Sequence, residues 1–181
     1  MSIYVAKLPQ IYKCICMIFY RVRFWLGAAL LQALLLPLSA CIEKPQAKDF
    51  EAVFELKIAQ KTLFAQIATT DAQKARGLMF RESLPADGAM VFAFDAPRQM
   101  SFWMKNTLIP LDIAFLTADG AITEIKSMFP LNLNPVKSSR SDILYCIETN
   151  AGWFAKNGLS AGDKLDMQIF LKALKQRKAA E

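Results

Sequence analysis

From about residue 52 onward, the sequence predicts a mainly β domain: a compact antiparallel β-sandwich or barrel with one or two short helices. Apolar and polar residues alternate with a period of two in several short stretches, which is the pattern of half-buried strands. Turn-forming pairs such as Asp119-Gly120 separate these stretches and favour hairpins. Only two stretches carry helix start and stop residues, so a fold of alternating strands and helices is not expected.

Residues 1–41 have the composition of a signal peptide. Residues 24–38 are strongly apolar apart from Gly27, Gln32 and Pro37, and this run of 15 is short for a bilayer-spanning helix, which needs roughly 20 residues. The next residues, Leu38-Ser39-Ala40-Cys41, resemble the lipobox of bacterial lipoproteins, at which the leader is cut and the cysteine acylated. Met17 is an alternative translation start, because a short basic leader follows it.

Acylation at Cys41 would anchor the protein to the periplasmic side of a bacterial membrane, since several acyl chains give stable binding. Ile42 follows the cysteine instead of Asp, which favours the outer membrane by analogy with enterobacterial sorting. An uncleaved membrane anchor and an ordinary secretory signal are the alternatives. Residues 42–50 are polar and lack periodicity, so they are interpreted as a tether.

The β domain is predicted to span residues 51–171. Its first two strands form a hairpin, and Thr70 can cap a short helix over residues 71–76 that Gly77 would end. Asn150 can cap a second helix over residues 151–157. Residues 129–140 form the longest irregular connection, and residues 172–181 form a basic tail with the character of a frayed helix. The predicted strands are residues 54–58, 62–69, 90–94, 100–104, 111–116, 121–128, 143–149 and 165–171.

Charge and composition exclude several function classes. The net charge of +6 comes largely from the two ends of the chain, so the domain itself is nearly neutral and a nucleic-acid-binding face is not expected. Histidine is absent, which excludes catalysis by Ser-His-Asp or Cys-His groups and imidazole metal sites. Cys146 is the one cysteine within the predicted domain, so neither an intramolecular disulfide nor a cysteine zinc site is available there. We expect no cofactor and no metal.

The segment from Phe102 to Asp112 places polar groups inside the most apolar part of the chain. Lys105-Asn106-Thr107 interrupts two apolar stretches, and Asp112 begins the next apolar run. Buried polar groups need partners, so we predict that this segment lines a pocket, with Trp103 as a flat wall. Core packing is the competing role for Phe102, Trp103 and Met104, and we expect it for at least two of the three. The predicted ligand-binding residues are Arg76, Trp103, Lys105, Asn106, Thr107, Asp112 and Glu148.

Arg76 and Arg81 bracket a short apolar patch. Either both are solvated or paired with surface acids, or at least one turns inward to neutralise an acid of the pocket.

Three functions remain open. The first is a binding or accessory module of the cell envelope that takes a sugar, a small polar metabolite or a cell-wall fragment. The second is a glycosidase-like hydrolase that uses Asp112 and Glu148 as acid and base. The third is a scaffold that binds a protein through residues 129–140, which requires an exposed apolar patch beside that loop. The residue types favour binding over catalysis, and the oligomeric state is left open.

The central motif, Phe102 to Thr107 followed by Ile109-Pro110-Leu111-Asp112-Ile113, resembles the signature of the domain-of-unknown-function 192 (DUF192) family. The resemblance extends over about residues 52–171 and implies a compact, mostly β, jelly-roll-like fold found in exported and lipid-anchored bacterial proteins. No biochemical activity comes with it. Further matching elements are Arg76-Gly77-Leu78-Met79, Arg81, Gly88, residues 90–94, Gly120, Glu148 and Gly162-Asp163.

Overall fold

The computed structural model describes residues 52–181, so the predicted leader, Cys41 and most of the tether lie outside the described residues. Strands dominate the described part, and the predicted mainly β fold is confirmed. No helix of this part is long and apolar enough to cross a membrane. The elements are β1 Phe54–Ile58, β2 Lys61–Ala68, α1 Asp71–Arg76, β3 Gly88–Arg98, β4 Ser101–Phe102, β5 Leu111–Thr117, β6 Ile122–Met128, β7 Val136–Lys137, β8 Ile143–Asn150, α2 Trp153–Lys156 and α3 Met167–Ala179.

Six strands form one sheet in the order β1-β2-β3-β8-β5-β6, and β4 pairs with β7 in a small second sheet. The described strands do not close into a barrel. The sheet is mixed and not antiparallel throughout, because β2 and β3 run parallel. Parallel neighbours need a crossover connection, and α1 lies within the connection from β2 to β3. The remaining pairs in this sheet are antiparallel.

Hydrophobic side chains cover both faces of the large sheet. On the first face, strand residues pack with Phe154 of α2 and Phe170 of α3. On the second face, Phe92 and Phe115 pack with Leu78 from the β2–β3 connection and with Met104. Both faces are therefore buried, and a polar side chain that points from a central strand enters a core or a cleft.

Local signals placed most elements correctly. Helix α1 covers residues 71–76, and Thr70 and Gln73 form a reciprocal capping box at its start. Gly77 follows the helix with a positive φ of 47°, as expected for a helix stop.

The predicted last strand, residues 165–171, is wrong beyond its first residues. Asp166 caps a helix there, and its carboxylate accepts hydrogen bonds from the backbone N–H groups of Gln168 and Ile169. Helix α3 runs on to Ala179, so most of the predicted basic tail belongs to it. The buried residues Phe170, Ala173 and Arg177 follow helical spacing, and the Arg177 guanidinium donates to the carbonyl of Ile67 at 3.2 Å.

Candidate functional site

A cleft opens on the second face of the sheet, between α1 and the segment that follows β4. The enclosed part of the cleft has a volume of about 30 Å³. A single water needs roughly 10–15 Å³ by this measure, so the enclosed space holds a small group of atoms and not a whole sugar ring. Its lining consists of residues 74–79 together with Phe92, Phe102, Trp103, Thr107 and Glu148.

Glu148 is the buried acid of this cleft. Its position on β8 lies opposite Met90 on β3 and Ile113 on β5, in the middle of the sheet. The residue is only 5% exposed. Within the described part of the chain, the Glu148 carboxyl takes part in no hydrogen bond or ion pair. Burial raises its pKa from 4.5 to about 8, so at neutral pH the carboxyl is mostly protonated and carries one O–H donor.

Two cations lie on the wall formed by α1. The Lys74 amino group is 3.1 Å from the carboxylate of Asp71, whose side chain is fully exposed. Arg76 is exposed at the cleft and has no acid within ion-pair distance among residues 52–181. Neither cation pairs with Glu148, so the cleft combines a mostly neutral acid with positive charge at its wall.

The sequence left open whether Arg76 or Arg81 would turn inward to neutralise an acid. Arg81 donates instead to the side-chain carbonyl of Gln66. Its burial, and to a lesser extent the positive charge of Arg76, lower the pKa of Arg81. Neither arginine forms an ion pair with an acid of the cleft.

The opposite wall carries the aromatic residues of the central motif. Phe102 packs edge-on against Phe92 at 5.0 Å between ring centroids, and Met104 is buried in the same core. Trp103 is 51% exposed, and the Lys105 amino group lies 5.2 Å from its ring centroid. Phe102 and Met104 therefore serve the core, as expected for two of the three residues, while Trp103 offers an open flat surface at the cleft.

Three loops beside the cleft are joined by backbone hydrogen bonds. The Phe80 N–H donates to the carbonyl of Asn106 at 2.8 Å, and the Leu131 N–H donates to the carbonyl of Thr107 at 3.1 Å. Phe80, Asn106 and Leu131 have positive φ angles of 64°, 57° and 59°. Such angles are unfavourable for large L-residues, and strain of this kind concentrates at functional sites.

Asp112 does not belong to the cleft. In the pairing of β5 with β8, Asp112 lies opposite Thr149 and Ile113 lies opposite Glu148. Adjacent residues of a strand point to opposite faces, so Asp112 and Glu148 lie on opposite sides of the sheet. The Asp112 carboxylate accepts hydrogen bonds from the Ser127 hydroxyl and the Gly152 N–H, both at 2.7 Å, and thereby links β5, β6 and the start of α2.

This arrangement removes the geometry of the predicted hydrolase. A glycosidase needs both carboxyl groups on one substrate bond, and here the sheet separates them. Cys146 gives no alternative nucleophile, because burial raises the pKa of its thiol well above the ordinary value, with a smaller contribution from Glu148.

Of the seven predicted ligand-binding residues, four line the cleft, while Lys105 and Asn106 lie in the adjoining turn and Asp112 lies on the other face. The sequence analysis missed Lys74 and Phe92. Lys74 follows directly on the capping box of α1, so its place beside Arg76 on a short helix was a usable signal. Phe92 gave no such signal, since its apolar run is equally typical of a core strand.

The Glu148→Gln variant should lose the pH dependence of the free energy of unfolding that ionisation of Glu148 causes. The folded-state pKa lies above that of the unfolded chain, so protonation stabilises the native state fully at low pH. The free energy of unfolding should fall by about 1.4 kcal/mol per pH unit as pH rises from about 4.5 towards 8, and then level off. Denaturant unfolding at several pH values measures this slope. An equal slope in Glu148→Gln would show that other groups cause it.

Asp112→Ala should lower the free energy of unfolding by about 2 kcal/mol, because it leaves the hydroxyl of Ser127 and the Gly152 N–H without their acceptor. Asp142→Ala is the control: Asp142 is also hydrogen-bonded, to Arg140, but at the surface, where such pairs contribute at most about 1 kcal/mol. Equal losses in urea unfolding would contradict a structural role for Asp112.

Two solved structures resemble the described fold. A proposed transcription regulator from Sinorhizobium meliloti 1021 is 33% identical, with 64% of this chain and 93% of that chain covered and a TM-score of 0.60. A protein of unknown function from Novosphingobium aromaticivorans DSM 12444 is 31% identical, with coverages of 63% and 84% and a TM-score of 0.60. No curated protein matches the chain. The sequence profile of the DUF192 family, described as an uncharacterized ACR, matches residues 54–167, and the chain therefore belongs to that family.

Proposed function

We propose that this protein is a small-ligand-binding module of the bacterial cell envelope, anchored by lipid at Cys41, with its ligand in the cleft above Glu148. The observation that carries the proposal is the carboxyl of Glu148, which is buried, faces the cleft and has no partner within the described residues.

Glu148 is only 5% exposed, its carboxyl reaches the open space of the cleft, and no described residue bonds to it. More than 90% of buried polar groups in proteins are hydrogen-bonded, and exceptions concentrate at functional sites. Arg76 and Lys74 line the same cleft, yet neither forms an ion pair with Glu148: Lys74 is paired with Asp71, and no described acid lies within ion-pair distance of Arg76. A ligand that accepts a hydrogen bond from the protonated carboxyl would supply the missing partner.

The dimensions of the cleft limit how the ligand enters. The enclosed space of about 30 Å³ admits a small end group, and the exposed ring of Trp103 provides a surface for the remainder of the molecule. A sugar or cell-wall fragment would therefore bind through a single substituent, with its ring outside the enclosed part.

A protein-interaction scaffold is the second candidate. Phe129, Leu131 and Leu133 are 67%, 58% and 64% exposed, and their loop is bonded to the turn beside the cleft. Exposed apolar groups of this kind favour a partner surface. The loop and the cleft are adjacent, so variants in each are needed to separate the two functions.

Ligand binding can be tested by thermal unfolding of the full chain in detergent with small carboxylates, amides, amino sugars and peptidoglycan fragments. We expect at least one compound to raise the unfolding midpoint by a few degrees, because a ligand that binds only the native state stabilises it. Ala75→Trp should abolish the shift, since Ala75 is an exposed helix residue at the cleft and a large side chain there fills the entrance.

Leu133→Ser is the matched control and should leave the midpoint shift unchanged. A shift that disappears in Leu133→Ser and persists in Ala75→Trp would favour the loop as the binding surface. No shift with any compound would remove the support for a small-ligand site.

The lipid anchor is tested separately by Cys41→Ser. Without the acceptor thiol, no acyl chain can be attached, so the variant should move from the membrane fraction to the soluble fraction or remain as the uncleaved precursor. Metabolic labelling with a fatty acid measures acylation directly. Labelling of the variant equal to that of the wild type would show that Cys41 is not the modified residue.

A further inference from the structure

We propose that the cleft binds the carboxylate group of a small organic acid whose body is apolar or planar. In this arrangement the carboxylate is held by the carboxyl of Glu148 and the guanidinium of Arg76, and the body lies against Trp103. This inference rests on the proposed ligand-binding function and specifies the chemical class of the ligand.

The described lining of the cleft is rich in hydrogen-bond donors. At neutral pH the cleft presents the Glu148 O–H, the Arg76 guanidinium, the Lys74 ammonium and the Thr107 hydroxyl, which makes only a long 3.4 Å contact with the carbonyl of Lys105. All four can donate, and the two cations make the wall positive. The matching ligand group is an anion rich in acceptors.

A carboxylate and a phosphate differ in the donors that they need, and the donors in the cleft favour the carboxylate. Arginine binds carboxylates through two parallel hydrogen bonds, and an O–H donor forms short, strong bonds with a carboxylate oxygen. A phosphate dianion would be matched best by two free cations, but of the two cations in the described lining Lys74 is already paired with Asp71.

The rim of the cleft determines which ligand body fits. Trp103 is 51% exposed, Met79 also lines the cleft, and Phe80, which follows Met79, is 66% exposed. A planar or branched apolar body would bury its surface against these side chains, where several hydroxyls would gain little. The Lys105 amino group lies 5.2 Å from the Trp103 ring centroid and adds positive charge at this rim.

Binding should depend on pH through Glu148. Lys74 and Arg76 of α1 line the same cleft as Glu148, and Cys146 of β8 interacts with Glu148 electrostatically. Arg81 neighbours Arg76, and Arg98 of β3 acts on Cys146. Burial raises the pKa of the Cys146 thiol well above its ordinary value. Ionisation of Glu148 then removes a donor and adds repulsion, so affinity for a carboxylate should fall as Glu148 loses its proton.

The test is isothermal titration of the full chain in detergent with benzoate, isobutyrate, benzamide and phenylphosphonate between about pH 6.5 and pH 9.5. We expect benzoate or isobutyrate to bind at least about tenfold more tightly than benzamide and phenylphosphonate. Above about pH 8, carboxylate affinity should fall by up to about tenfold per pH unit, because only the protonated form of Glu148 binds.

Variants test the roles proposed for Arg76 and Glu148. Arg76→Gln should weaken benzoate binding at least about tenfold, whereas Arg140→Gln, an exposed arginine paired with Asp142, should leave it unchanged. Glu148→Gln keeps an N–H donor and cannot ionise, so it should bind at neutral pH and retain its affinity at high pH. Equal effects of the two arginine variants, or an unchanged pH profile in Glu148→Gln, would overturn the assignment.

Three failing outcomes can be distinguished. If amides or amino sugars stabilise the chain in a manner that Ala75→Trp abolishes while the carboxylates do not bind, the cleft is a ligand site for another chemical class and this inference fails alone. If phenylphosphonate binds more tightly than the carboxylates, the anion is a phosphate and the carboxylate assignment fails. If no compound binds, the proposed function fails with it.

Discussion

The arrangement of the site depends on one constraint, the pleat of the central strand β8. This strand is hydrogen-bonded on both edges, to β3 and to β5, and side chains cover both of its faces. Its residues therefore alternate between two interiors, and no side chain can be moved to the other face without shifting every neighbour. The pleat sends Glu148 towards the cleft and Thr149 to the opposite side. On β5 the same alternation sends Asp112 away from the cleft, where two protein donors satisfy its carboxylate.

The cleft also depends on the parallel pairing of β2 with β3. A hairpin between these strands would have left the second face of the sheet open at this point. The crossover instead places the end of α1 and the turn after it over Phe92. Helix α1 thereby forms the wall of the cleft that carries Lys74 and Arg76. A Cβ at Gly77 would lie 3.5 Å from the Phe92 ring, which is ordinary van der Waals contact, so the positive φ of Gly77 and not a lack of space disfavours other residues here.

Strand periodicity, the Thr70 helix cap and the Asp119-Gly120 turn could be predicted from the sequence because each is a local preference, and these elements are found where predicted. The parallel β2–β3 pair could not be predicted, because strand direction depends on contacts between residues distant in the chain. The prediction of a strand at residues 165–171 was wrong. Leu165, Met167 and Ile169 alternate with polar residues, which is the pattern of a strand. The Asp166 cap and the helical spacing of the buried residues Phe170 and Ala173 instead favour a helix. For the site, four of the residues chosen from the sequence, Arg76, Trp103, Thr107 and Glu148, line the cleft, and their role in ligand binding stays a prediction. Asp112 was also chosen because it is a polar residue within an apolar stretch. That pattern indicates that a side chain is buried, but it does not indicate on which face of the sheet the side chain lies.

The contrast between Asp112 and Glu148 shows how the fold turns similar side chains to different uses. Both are buried acids on adjacent strands, yet one receives two hydrogen bonds from the protein and the other receives none within the described residues. A protein selected for stability alone would gain by an apolar residue or glutamine at position 148, since burial of an unpartnered carboxyl is unfavourable. If the cleft binds a ligand as we propose, a use of the Glu148 proton explains why the acid is retained there. The burial that raises the pKa of Glu148 gives its carboxyl an O–H donor at neutral pH, so the proposed ligand is one that supplies an acceptor. Backbone hydrogen bonds join the loops that contain Phe80 and Leu131 to the turn at Asn106 and Thr107, and such preorganisation would lower the entropy cost of binding.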